Sequence, residues 1–124
     1  MTLKRRQFGR RAEDLAEEFL RAQGYRILHK NFRLRFVEID IIARDQDTLC
    51  FIEVKARTTD DLGTPLESIH FFKQRKLSKL ALAYLKQTYR TLDVKSRFDV
   101  VSVICDENGK EVMEVIKNAF DLCG

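Results

Sequence analysis

The chain has 124 residues, of which 44% are hydrophobic and nine are phenylalanine, so it can fill a folded core and is not disordered throughout. The formal net charge is +4, which permits an anionic partner without requiring one. No apolar run approaches the roughly 18 residues of a membrane span, and none follows the basic start as in a secretory signal. We therefore expect a single domain over residues 1–124 that does not enter a membrane.

The three cysteines indicate a reducing compartment. Cys50, Cys105 and Cys123 form neither a CxxC pair nor the cysteine and histidine spacing of a zinc site. Cys50 and Cys105 lie in apolar runs, where a thiol usually acts as a small buried hydrophobe. This usage predicts a cytoplasmic protein.

The first predicted element is a helix over residues 8–23, because apolar side chains recur there on one helical stripe. The stripe consists of Ala12, Leu15, Ala16, Phe19 and Leu20. Gly24 follows as the predicted C-terminal cap, where the backbone needs a left-handed conformation. Residues 25–35 then predict a basic strand.

Residues 36–57 predict a β-hairpin, since two apolar runs flank a short polar turn. If residues 46 and 47 form the turn, Asp40 faces Glu53, and Glu38 faces Lys55. A slip of one residue would set these charges among apolar side chains, whereas a slip of two or a longer bulged loop stays open. The predicted apolar face consists of Val37, Ile39, Ile41, Ile52 and Val54.

In this register the Asp40 and Glu53 carboxylates are cross-strand neighbours, with Cβ atoms about 5 Å apart, and they repel each other. A raised pKa or a shared cation would relieve the repulsion. Two carboxylates on rigid strands suit a hard ion such as Mg²⁺, and Lys55 could hold a water or stabilise charge on a phosphate. The alternative is a solvent-facing strand pair, in which Glu38 and Lys55 form an ion pair and Asp40 is merely exposed.

The second half of the chain predicts one more helix and two strands. After a loop with Gly63 and Pro65, residues 67–89 predict a helix, residues 97–105 a buried strand, and residues 110–120 a last strand. The helix has an apolar stripe of Leu77, Leu80, Ala81, Tyr84 and Leu85. The order α-β-β-β-α-β, with one further strand, predicts an α/β fold in which helices flank a mixed central sheet.

Basic side chains cluster where each predicted helix begins, although cations there oppose the helix dipole. The two clusters are Lys4, Arg5, Arg6, Arg10 and Arg11, and Lys73, Arg75, Lys76 and Lys79. Each cluster alone is equally well explained as a solvated face. Together they favour contact with the phosphates of a nucleic acid.

Six segments of the chain resemble the YraN family of bacterial proteins. These are AEDLAEEFLRAQGYRILHKNFR, EIDIIARD, FIEVKAR, GTPLESI, KQRKLSKLALAYL and RFDVVSV, which together cover nearly the whole chain. That family belongs to the PD-(D/E)XK nuclease superfamily and is related to archaeal Holliday-junction resolvases. The resemblance implies a restriction-endonuclease-like αβββαβ core and hydrolysis of DNA phosphodiester bonds, including those of branched DNA, with Mg²⁺ or Mn²⁺ as cofactor.

The resemblance also implies roles for individual residues. Asp40 and Glu53 match the metal ligands, Lys55 matches the catalytic lysine, and Glu13 matches a helix glutamate that reaches the metal site. The Val54 carbonyl could add a further ligand. The residues expected to contact nucleic acid are Arg10, Arg11, Arg57, Lys73, Gln74, Arg75 and Lys76.

Two other classes of function remain alternatives to a nuclease. One is a nucleic-acid-binding module that keeps the fold without cleaving, and the other is a domain whose basic faces meet an acidic protein. The intact set of Asp40, Glu53 and Lys55 favours the nuclease, since a degenerate site usually loses a ligand. Asp99 is expected to pair with Arg97 or a nearby basic side chain in a structural role. The sequence leaves open DNA against RNA, and a homodimer against a monomer.

Overall fold

The computed structural model describes residues 3–58 and 71–121, and the side chains of these residues except residues 3–8 and 71. The helices are α1 (Leu3–Ala22) and α2 (Phe71–Tyr89). The strands are β1 (Arg26–Leu34), β2 (Val37–Asp45), β3 (Thr48–Thr58), β4 (Ser96–Cys105) and β5 (Glu111–Phe120). They form one sheet in the order β1-β2-β3-β4-β5, in which β3 and β4 are parallel and the other neighbours are antiparallel.

This architecture confirms the predicted α/β fold with a mixed sheet flanked by helices, and it includes the further strand as β5. α1 begins at Leu3, five residues before the predicted start. The predicted loop with Gly63 and Pro65, the first residues of the predicted second helix, and Cys123 lie outside the described residues.

Each helix covers one face of the sheet through its apolar stripe. On the α1 side, Ala12, Ala16 and Leu20 are buried against a cluster from the central strands. On the α2 side, the five predicted stripe residues are all buried. The first six residues of β3 and the middle six of β4 are therefore buried, which explains why these two segments are mostly apolar.

Gly24 ends α1 with the predicted cap. Its φ angle is 96°, and its amide donates to the Arg21 carbonyl. The Tyr25 amide donates to the Leu20 carbonyl at 2.9 Å, which completes a Schellman motif. The chain thus turns sharply and carries the Tyr25 side chain under the sheet, where it is buried.

A buried ion-pair network ties Tyr25 to β4. The Asp99 carboxylate, which is fully buried, accepts hydrogen bonds from the Tyr25 hydroxyl, Arg97 Nε and the Asn118 amide, each at 2.9 Å. The Arg97 guanidinium also donates to Asp45 at 2.7 Å. The network confirms the predicted pairing of Asp99 with Arg97, and it joins the turn after α1 to β2, β4 and β5 at one end of the sheet.

No helix in the described part of the chain is long and apolar enough to cross a membrane. Cys50 is buried and Cys105 half-buried, and both are free thiols.

We expect Asp99→Ala to lower the free energy of unfolding by about 3–5 kcal/mol, because the substitution leaves the Arg97 guanidinium without its buried partner. Urea denaturation measures this loss. The matched control is Lys95→Ala, which removes an exposed pair with Asp47 at 3.4 Å and should cost less than about 1 kcal/mol. Equal losses for the two variants would show that the buried network does not stabilise the fold.

Candidate active site

The hairpin of β2 and β3 is paired over only part of its length. The predicted register is confirmed from the Asp45–Thr48 pair to the Ile41–Ile52 pair. Beyond Ile41 the two strands separate, and the Val54 amide donates to Asp40 Oδ2 at 2.8 Å. Asp40 is therefore not paired with Glu53 in the strand ladder, and Glu38 is not paired with Lys55. Both predicted pairs are wrong.

The predicted apolar face of the hairpin is also wrong. Val37 and Ile39 pack on the α2 side, whereas Ile41 packs on the α1 side together with Ile52 and Val54. Strict alternation fails because the sheet is irregular at this point: Asn31, which lies opposite Asp40 between two regular pairs, has a φ of 55°.

Glu38, by contrast with the prediction, does not pair with Lys55. It forms an ion pair with Arg33 of β1, at 3.3 Å. This contact removes the solvent-facing Glu38–Lys55 pair on which the non-functional interpretation of the hairpin depended.

A cleft of about 980 Å³ opens where β2 and β3 separate, between the start of α2 and the middle of α1. Its lining includes acidic, basic and aromatic side chains from four elements and one turn. The lining residues are Gly9, Arg10, Ala12, Glu13, Phe36, Val37, Glu38, Asp40, Glu53, Val54, Lys55, Ala56, Phe72, Lys73 and Lys76. The structure thus brings Asp40, Glu53 and Lys55 together, as predicted, although not through the predicted strand pairs.

The other predicted site residues divide into two groups. Glu13, Arg10, Lys73 and Lys76 line the cleft with the three central residues. Four predicted nucleic-acid contacts are not among the lining residues: Arg11, Arg57, Gln74 and Arg75. Arg11 forms an ion pair with Glu111 of β5 at 2.8 Å. Whether the residues expected to contact nucleic acid do so, inside or outside the cleft, stays a prediction.

Glu53 is the most unusual carboxylate in the cleft. Its side chain is 6% exposed, and Oε2 lies 3.1 Å from the Lys73 ammonium. Oε1 is buried and has no hydrogen-bond partner among the residues that the structure describes. Burial, followed by the negative charge of Asp40, raises the pKa of Glu53 to about 7.

The two carboxylates beside Glu53 are also strained electrostatically. Burial raises the pKa of Asp40, the hydrogen bond from Val54 opposes that rise, and the charge of Glu38 adds to it. Burial raises the pKa of Glu13 too, with further contributions from Asp40 and Glu38. Like charges thus crowd the floor of the cleft, the situation that a bound cation would relieve.

Two lysines face these acids. Burial lowers the pKa of Lys55, and the charge of Lys73 beside it lowers it further. Burial also disfavours the charged form of Lys73, but the contact with Glu53 outweighs it and raises the pKa of Lys73. Lys73 is therefore the ammonium that balances Glu53, and Lys55 is the amine that loses its proton more easily.

The donor set of the cleft fits a small hard cation. The partnerless Glu53 Oε1 lies in a cleft with the Asp40 carboxylate. The Val54 carbonyl should also face the gap, since the amide and carbonyl of a strand residue point to the same side, and the amide meets Asp40. The described residues contain no group of three or more His, Cys, Asp or Glu side chains that could hold an ion. Mg²⁺ commonly takes only one or two protein carboxylates and keeps several waters, so this set suits it.

Sequence reasoning missed two features of the cleft. The contact of Lys73 with Glu53 left no sequence signal, because the residues lie 20 positions apart on different elements. Phe36 does leave a sequence signal, because it is an apolar residue at the basic turn before β2. The hairpin pattern alone assigns it no separate role.

We expect Glu53→Gln to remove a pH dependence of stability. In the folded protein Glu53 keeps its proton up to about pH 7, whereas in the unfolded chain it loses it near its ordinary pKa of 4.5. The wild type therefore loses stability as the pH rises from 4.5 to 7, and the loss is complete above pH 7. Relative to the wild type, the variant should gain about 2–3 kcal/mol between pH 5 and pH 8, as measured by denaturant unfolding.

The control for this measurement is Glu107→Gln, which alters an exposed glutamate of the β4–β5 turn. Its stability should follow that of the wild type at every pH. A Glu53→Gln variant that also follows the wild type would contradict the raised pKa.

Known proteins match this chain over most of its length. The family model described as "Uncharacterised protein family UPF0102" matches residues 12–103. A UPF0102 protein of Desulfosudis oleivorans is 48% identical over 121 residues, which cover 98% of this chain and 95% of the relative. A UPF0102 protein of Geobacter metallireducens is 43% identical over 122 residues, which cover 98% of both chains. The match confirms the resemblance predicted from the six segments, and the chain belongs to the UPF0102 family.

Proposed function

We propose that this protein is a metal-dependent endonuclease that hydrolyses phosphodiester bonds in DNA. The observation that carries the proposal is the buried, partnerless oxygen of Glu53 in one cleft with Asp40 and Lys55. Buried carboxylate oxygens are normally hydrogen-bonded, and one that is not costs free energy of folding. A ligand that binds this oxygen would offset the cost.

Asp40, Glu53 and the Val54 carbonyl are the groups that would hold Mg²⁺ or Mn²⁺. When bound, such an ion supplies Lewis-acid activation of water and of a phosphoryl group. Asp40 is well placed for this role because its hydrogen bond with the Val54 amide fixes its carboxylate. Glu53 is held by a strand that is paired with β4 on its other side.

Lys55 has the properties of the group that handles the proton. Its lowered pKa brings its amine closer to the neutral form near pH 7, so that it can accept a proton from the attacking water. In its charged form it stabilises negative charge that develops on the phosphate. Lys73, its neighbour, favours the first role by disfavouring a second positive charge.

The surroundings of the cleft favour a nucleic acid as the partner. Arg10 and Lys76 extend the basic side chains of the cleft towards its rim, where both are exposed. Contacts of this kind bind backbone phosphates and do not read base sequence. A cytoplasmic location, with access to DNA, agrees with the two free cysteines.

We expect Asp40→Asn to abolish both metal binding and DNA cleavage while it preserves the fold. The amide oxygen of Asn can still accept the hydrogen bond from Val54, and the loss of one negative charge relieves repulsion in the cleft. The metal-free variant should therefore be as stable as the wild type or more stable. At a hundred times its dissociation constant, Mg²⁺ should stabilise the wild type by about 2.7 kcal/mol and the variant not at all.

The measurements are thermal melts with and without Mg²⁺, and cleavage of linear, flapped and four-way DNA with Mg²⁺ or Mn²⁺ against EDTA. The control is Asp14→Asn, which changes an exposed carboxylate of α1 and should cleave like the wild type. A wild type that binds DNA but neither binds metal nor cleaves would establish the non-catalytic binding module in place of the nuclease.

We expect the double variant Arg10→Gln and Lys76→Gln to bind DNA with a weaker salt dependence. Each lost phosphate contact lowers the slope of log affinity against log salt by about 0.9, so the slope should fall by at most about 1.8. Fluorescence anisotropy of a labelled duplex at several salt concentrations measures it.

The matched control is Lys86→Gln with Arg90→Gln, which removes the same charge from the exposed far end of α2. Its slope should equal that of the wild type. If both double variants change the slope equally, the protein binds through its net charge and not through the cleft.

A further inference from the structure

Two phenylalanines lie exposed on the rim of the cleft. Phe36 is fully exposed, at 103%, and Phe72 is 74% exposed. The other large apolar side chains that are exposed in the described part of the chain, Leu34, Leu92 and Val112, are each little more than half exposed. The two strongest departures from apolar burial therefore lie beside the proposed site, on opposite elements that line one cleft.

The position of Phe36 is fixed by the fold. Residues 35 and 36 form the turn between β1 and β2, which the Leu34–Val37 pair closes. Arg35 has a φ of 58°, so the turn has a defined and unusual backbone. The backbone of such a short turn loses little conformational freedom when Phe36 binds a partner.

The charges around Phe36 indicate which partner it meets. Beside the main cleft lies a hollow of about 320 Å³, lined by Leu34, Arg35, Val37, Lys76, Lys79 and Leu80. Cations thus alternate with apolar side chains at this corner. The cores of protein interfaces are depleted of lysine. Sites for single-stranded nucleic acid, in contrast, combine a basic groove with aromatic side chains on which bases stack.

We propose that Phe36 stacks on an unpaired nucleobase next to the phosphate that enters the cleft. The substrate class would be DNA with unpaired bases, such as a single-stranded flap or a fork. In an intact duplex the bases stack on one another, and their faces are closed to a side chain. This inference rests on the proposed function, because it assumes that DNA enters the cleft.

The test compares the affinity for a flapped duplex with that for a fully paired duplex of the same length. Anisotropy is measured in Ca²⁺, a hard ion that takes oxygen ligands, in place of Mg²⁺. A stacked base contributes about 1–3 kcal/mol, so Phe36→Ala should weaken flap binding by about 5-fold to 150-fold. Duplex binding should not change. Phe36→Tyr, which keeps the ring, should retain the affinity for the flap.

A second measurement observes stacking directly. The chain contains no tryptophan, so Phe36→Trp introduces a single tryptophan at the rim, whose emission can be excited apart from that of the three tyrosines. Its emission should be quenched by the flapped duplex and not by the paired duplex.

Leu92→Ala is the matched control for Phe36→Ala in the affinity comparison, since Leu92 is exposed but does not line the cleft. It should bind both substrates as the wild type does.

The possible failures are distinguishable. A wild type that binds and cleaves DNA, with Phe36→Ala unchanged or equally weakened on both substrates, overturns the stacking inference alone. A wild type that binds neither substrate overturns the proposed function together with the inference. If Phe36→Ala leaves DNA binding intact but abolishes self-association in sedimentation, the exposed rings form a protein interface and the inference is wrong.

Discussion

The hydrogen bond from the Val54 amide to the Asp40 carboxylate is the constraint on which the site depends. A backbone amide that leaves a strand ladder inside a protein needs another acceptor. Asp40 supplies one at 2.8 Å, in the place where β2 would otherwise offer a carbonyl. The hairpin can therefore open into a cleft without an orphaned amide, and the side chain that permits the opening is held there as part of the site.

β2 and β3 can separate here because this part of β3 does not need β2 as a pairing partner. Its pairing with β4 extends without interruption from Leu49 to Thr58, past the point where β2 leaves. Glu53 and Lys55 thus project from a strand that is fixed on one side and free on the other. β4 is fixed in turn by the buried contacts of Asp99 with Tyr25, Arg97 and Asn118.

The carboxylates at the two ends of the sheet have pKa values that are shifted in opposite directions. At the turn of the hairpin, hydrogen bonds from Arg97 and then Lys117 lower the pKa of Asp45, so its charge stabilises the fold. At the open end, burial and like charges raise the pKa of Glu53 and Asp40. Carboxylates with raised pKa values in a cleft concentrate at functional sites, and the well-paired end provides the stability that the open end lacks.

Sequence patterns were sufficient to predict the elements and the register of the paired part of the hairpin. Periodicity predicted where both helices end to within one residue, and the turn at residues 46 and 47 predicted the strand pairs from Asp45 to Ile41. Local patterns suffice here because alternation and helical stripes are imposed by burial on short segments. The same patterns gathered Asp40, Glu53 and Lys55 as one candidate site.

Only the tertiary structure decided how those residues meet. Periodicity continued the ladder through Asp40, whereas the folded sheet breaks alternation opposite Asn31 and directs Ile39 and Ile41 to different faces. The tertiary fold also places the Lys73 ammonium beside Glu53, which lies on a different element, and pairs Glu38 with Arg33. Such contacts depend on where separate elements cross in space, and a pattern with a period of two or 3.6 residues contains no information about that distance.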